Sequence, residues 1–172
     1  MSQPEVWMRG AIVGIAPALQ PVAHALLQAR EDLDHLSEKL TDAELWLSPG
    51  GAACVGFHLH HLSGSLDRLF TYARGEELTE KQKTIVRAER EITQHPPALI
   101  ALLEKFEATT ESALEQLRNT PVATLTDARY VGRQRLPSTV LGLLFHAAEH
   151  TTRHVGQIIT TLKIIRGLSL AG

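Results

Sequence analysis

The sequence predicts an all-α protein: a four-helix bundle with a short extra helix in the connection between its second and third main helices. Three observations carry this. Apolar residues recur at helical spacing in four long segments. No segment reads convincingly as a β-strand. Proline, glycine and capping residues punctuate the chain where the helical segments begin and end.

The first long helix is expected from about Pro21 to Leu40, with Pro21 in a first turn where no backbone donor is needed. A shorter helical piece is expected before it, from Glu5 to Ile15. Thr41-Asp-Ala-Glu44 has the pattern of a capping box and opens a short turn of helix. Ser48 to Ala53, SPGGAA, reads as loop. The second main helix is expected from about Cys54 to Arg74, stopping at Gly75. Thr79-Glu-Lys-Gln82 is a second capping box and starts the short polar helix, expected to end near Ile92. Pro96 and Pro97 introduce the third main helix, to about Arg118. Residues 121–137 read as irregular, and the last helix is expected from Ser138 or Thr139 to Ile165, stopping at Gly167. The connection between the second and third main helices is long enough to depart from simple up-down order.

With 172 residues the chain is read as a single domain, 1–172, large enough to bury its own core. A net charge of −2 and the absence of a basic run argue against nucleic acid and anionic membrane as partners. The single cysteine, Cys54, excludes an internal disulfide and a thiolate metal cluster. The N-terminus lacks the order of a secretory signal, and the uncharged stretch from Ala11 to Ala29 is interrupted by Pro17, Gln20, Pro21 and His24. A soluble cytoplasmic protein is expected.

Six of the nine histidines fall in two groups: His58, His60 and His61 on the second helix, and His146, His150 and His154 on the last. His24, His35 and His95 stand alone and read as surface or capping residues. The last group repeats every four residues, so successive imidazoles share one helix face. Relative to the apolar stripes, His154 lies roughly 80°, His150 roughly 120° and His146 roughly 160° from the centre on the last helix. On the second helix His58 lies roughly 60° and His61 roughly 120° from the stripe, with His60 off the opposite side. His150 and His154 therefore flank the core, and either His58 or His61 could face them. Two imidazoles from one helix and a third from a neighbour suit a metal ion with an open coordination position. The bland alternative is six wetted helix-face histidines. His146-Ala-Ala-Glu-His150 also spells H-x-x-E-H, but using it would put the most exposed histidine in the metal shell.

The stretches VGFHLHHLSGSLDRL, VGRQRLPST and LLFHAAEHTTRHVGQI resemble the DinB-like superfamily of bacterial proteins, over nearly the whole chain. That resemblance implies a four-helix bundle of unusual helix order holding a divalent metal on three side chains. Carried over by position, it implies His61, His150 and His154 as the ligands, choosing His61 where the angles left His58 open. It further implies one divalent ion, zinc or nickel first, and metal-dependent chemistry. Members with known activity include bacillithiol S-transferases and mycothiol-dependent maleylpyruvate isomerases, and others are described as metal-dependent hydrolases. The expected substrate is a small molecule, among them a low-molecular-weight thiol, and a homodimer is the assembly to test for. The alternative is a non-catalytic protein in which the ion is structural or sensed.

Around such a site Gln157, one turn past His154, and His58 are the candidates for orienting a ligand or substrate. Glu149 reads as an ordinary surface carboxylate. Gly156 could admit a close neighbour, and Arg133 and Arg135 could attract an anionic thiol cofactor. Cys54 sits about two turns from His61, too far to be a ligand.

Overall fold

The computed structural model describes residues 3–37, 40–89 and 96–169. It contains α1 (Gln20–Ser37), α2 (Asp42–Leu45), α3 (Val55–Ala73), α4 (Glu80–Ala88), α5 (Leu99–Asn119) and α6 (Val140–Ser169). The four long helices are α1, α3, α5 and α6, and α4 is the short polar helix in the connection between α3 and α5. The expected end of α4 near Ile92, the isolated His95 and residues 38–39, expected to belong to the first helix, lie outside the described residues. No helix among the described residues is long and apolar enough to cross a membrane.

Each long helix is amphipathic, and its apolar stripe goes inward. On α1 the buried row is Val22, Ala23, Leu26, Ala29 and Leu33. On α3, Val55, Leu59, Leu62, Leu66 and Phe70 are buried, and on α5, Leu102, Phe106, Ala113, Leu114 and Leu117. Leu144, Ile158 and Leu162 of α6 complete one continuous core. In the ring of packed helices α6 lies between α1 and α3, and α5 lies between them on the other side. Consecutive long helices α1 and α3 are therefore diagonal, and simple up-down order is broken, as the long connection allows.

The expected capping boxes form. The Thr41 hydroxyl accepts from Glu44 N while the Glu44 carboxylate accepts from Thr41 N, and Thr79 and Gln82 do the same. Glu44 also accepts from Arg166 Nε at 2.7 Å, fixing α2 to the end of α6. The step from α2 into α3 is set by Gly56: a Cβ there would lie 2.6 Å from the Trp46 indole, so only glycine lets the ring seat on the helix.

Three expectations are corrected. The segment from Glu5 to Ile15 is not a helix but a single 3₁₀ turn, Val6–Arg9, followed by bends at Gly10 and Gly14, both at positive φ. Gln20, His24 and Gln28 of α1 hold it by bonding the backbone of Ile12, Gly10 and Val6. Residues 121–137 are not wholly irregular. They contain most of an antiparallel hairpin, β1 (Ala128–Val131) with β2 (Leu136–Thr139), so the last helix begins at Val140. Finally, α6 runs through Gly167 to Ser169. This glycine is not among those at positive φ, so it continues the helix instead of reversing the chain.

Candidate metal centre

The histidines meet where α3 and α6 run antiparallel: His58 faces His154, and His61, one turn on, faces His150, one turn back. His61, His150 and His154 each offer a ring nitrogen, and the three nitrogens lie within 4.8 Å of one another. His61 Nε2 and His150 Nε2 are 3.0 Å apart. Tetrahedral coordination at a Zn–N distance of about 2.0–2.1 Å needs nitrogens roughly 3.4 Å apart, which these separations bracket.

The protonation pattern follows from the partners. His61 Nδ1 donates to Glu89 Oε2 at 3.0 Å. Glu89 is 8% exposed, and its other oxygen accepts from Arg68 Nη1 at 2.6 Å. Burial pushes the Glu89 carboxyl up, but the hydrogen bonds from His61 and Arg68 outweigh it and hold it below the usual range. A carboxylate only accepts, so the proton of a neutral His61 sits on Nδ1 and its Nε2 is a lone pair facing His150. Phe57 stacks on the His61 ring, centroids 5.6 Å apart and planes within 9°, and limits its rotation.

His154 Nδ1 shares a proton with His58 Nδ1 at 2.9 Å. With the proton on His154, its Nε2 is a lone pair beside the rings of His150 and His61, whose centroids are 4.4 and 4.8 Å away. Burial, then the neighbouring imidazoles, drops the His154 pKa to about 3 and that of His150 to about 4. Both rings are neutral at pH 7, the form that binds metal. His150 Nδ1 is buried with no protein partner among the described residues. Three imidazole nitrogens, two on rings neutral at pH 7 and one on a ring held by an ionised carboxylate, fit a divalent transition-metal ion.

His146 is half exposed and turned to Glu149 at 3.4 Å. Glu149 is bound to Arg153 and is a surface carboxylate. His60 is half-buried, with its Nδ1 likewise unpartnered among the described residues. Gln157 and Gly156 are exposed on α6, and Gln157 bonds none of the histidines. Cys54 is buried at the start of α3. Arg133 and Arg135 do not approach the histidines. They line a cavity beside Tyr72, which lies eleven residues, roughly 16 Å of helix axis, beyond His61.

Two site residues escape the sequence reading. Glu89 arrives from the end of α4, which carries no histidine. Gly64, three residues past His61, is what lets it in: a Cβ there would lie 2.5 Å from Glu89 Oε1 and 2.8 Å from Arg68 Nη1. A glycine mid-helix costs about 1 kcal/mol against alanine, and that cost was the available signal.

A family model described as the DinB superfamily matches residues 25–158. No curated protein matches significantly. Among solved structures, a conserved protein from Enterococcus faecalis superposes with a TM-score of 0.68 at 16% identity, over 87% of this chain and 97% of that one. At that identity the likeness speaks for the fold alone.

Proposed function

The chain belongs to the DinB superfamily, and from that premise we propose that it is a metal-dependent enzyme, a hydrolase or a low-molecular-weight-thiol S-transferase, with His61, His150 and His154 holding one zinc or nickel ion. The observation that carries the reading is the convergence of three imidazoles, with one ring nitrogen from each within 4.8 Å of the others. When bound there, the ion would supply Lewis acidity, lowering the pKa of a bound water towards ~7 or holding a thiol as its thiolate.

The chain's own residues do the rest. Glu89 fixes the tautomer of His61, and His58 takes the proton side of His154, so both rings present Nε2. Among the described residues no fourth His, Cys, Asp or Glu joins the group of three, and His58 turns to the back of His154. Three protein donors instead of four support a catalytic over a structural reading, since catalytic sites keep a coordination position for a small molecule.

The test is a panel of low-molecular-weight thiols with electrophilic acceptors, run beside ester and amide substrates, on metal-free and zinc-loaded protein. Turnover confined to the loaded protein and lost in His150→Ala supports the enzyme. One tightly bound ion with no turnover in either panel favours the second reading, a non-catalytic protein in which the ion staples α3 to α6.

A further inference from the structure

At the end of α3 far from the histidines, the β1–β2 hairpin closes over the α3–α4 connection and leaves a cavity of about 670 Å³. Four cationic side chains line it: Lys83, Arg129, Arg133 and Arg135. Its carboxylates are Glu76, already paired with Arg74 at 2.8 Å, and Glu77. Lys83 is paired with Glu80 at 2.8 Å. Arg129 is fixed by backbone: Nε donates to Ala73 O at 2.8 Å and Nη1 to Ala128 O at 2.9 Å, leaving its Nη2 hydrogens unspent. Arg133 and Arg135 form no ion pair among the described residues, and Glu80 feels Arg133 only at longer range. Four cations thus face two carboxylates, one of them already paired, in a chain whose net charge is −2.

The turn supplies a second, independent observation. Arg135 N donates to Gly132 O at 3.1 Å, and Arg135 is at φ 50, the one non-glycine residue at positive φ among those described. Glycine fits such a position without strain. Arginine stands there instead, with its guanidinium 4.5 Å above the Tyr130 ring. A guanidinium stacked on an aromatic face keeps its in-plane N–H groups free for oxyanions. Backbone strain of this kind clusters at ligand-binding sites.

We infer that this cavity binds a small polyanion, a molecule bearing phosphate or clustered carboxylate oxygens, with Arg133 and Arg135 as its main contacts and Arg129 as a fixed third. The volume falls in the usual range for small-molecule sites. The chain has no extended basic stripe for a polymeric anion. The inference is independent of the histidine centre.

Calorimetric titration of the full, metal-free chain with inorganic pyrophosphate and, separately, with citrate tests it. Binding of either supports the site, and the tighter of the two identifies phosphate or carboxylate as its chemistry. Arg133→Gln and Arg135→Gly should each weaken binding about tenfold, the scale of one lost charge-assisted hydrogen bond. Arg135→Gly is informative because glycine relieves the backbone strain: melting temperature should hold or rise while affinity falls. His150→Ala should leave anion binding unchanged. The inference is overturned if neither anion binds, if binding survives in the Arg133→Gln/Arg135→Gly double variant, or if it is lost in His150→Ala.

Discussion

Glu89 Oε2 accepts a hydrogen bond from His61 Nδ1 at 3.0 Å, across 28 residues of sequence. This bond joins the short connecting helix to the centre between α3 and α6, and it sets which nitrogen of His61 is bare. Glu89→Gln keeps the shape but removes the obligate acceptor. It should weaken zinc binding by about 10- to 100-fold, the usual effect of losing such a partner. Gly64→Ala should act in the same direction, because its Cβ would displace Glu89. Competition with a zinc-chelating dye reads both, and unchanged affinity in Glu89→Gln would remove the carboxylate from the account.

The six clustered histidines should divide by function. His61→Ala, His150→Ala and His154→Ala should each cost at least ~100-fold in zinc affinity, beyond the loss of an outer partner. His146→Ala and His60→Ala should change little, and His58→Ala should be intermediate because it holds the back of His154. Tight binding that survives His61→Ala but fails in His58→Ala would reverse the choice of ligand on α3.

The metal-free protein should lose stability as pH falls from about 6.5 to about 4. His150 and His154 are lowered to about 4 and about 3, with burial the first cause, whereas unfolded histidine titrates near 6.5. Between those values the unfolded chain binds protons that the native one refuses. Stability is therefore full above about pH 6.5 and falls as the pH drops through this window. His58 and His60 are lowered too and act in the same direction. Urea denaturation at pH 7 and at pH 5 should show the drop, and a His150→Asn/His154→Asn double variant should flatten it. An equal slope in both proteins would contradict this.

Removing the ion should leave the fold in place. The core of all four long helices is continuous without it. Chelated protein should keep its helical circular dichroism and melt roughly 5–10 °C lower, from mass action on the native state. Unfolding at room temperature on chelation would make the ion structural.

The helices were legible in the sequence because one-sided apolar stripes and capping boxes mark them locally. So was the His150/His154 pair, since a four-residue interval is itself a geometric statement on a helix. The third histidine was not fixed by angle. His58 lies nearer the stripe and is buried, but its Nδ1 is taken by His154. Glu89 was hidden because no periodicity says where a nine-residue polar helix docks. The hairpin was hidden for two reasons. Its strands are four residues each, one containing Pro137, and its turn puts arginine where glycine would be the signal.

Zinc titration of metal-free protein by calorimetry, checked by elemental analysis of the loaded chain, tests the central claim most directly. Close to one ion per chain is expected, with that stoichiometry lost in His150→Ala. No binding at micromolar zinc, or an undiminished single site in His150→Ala, would contradict it.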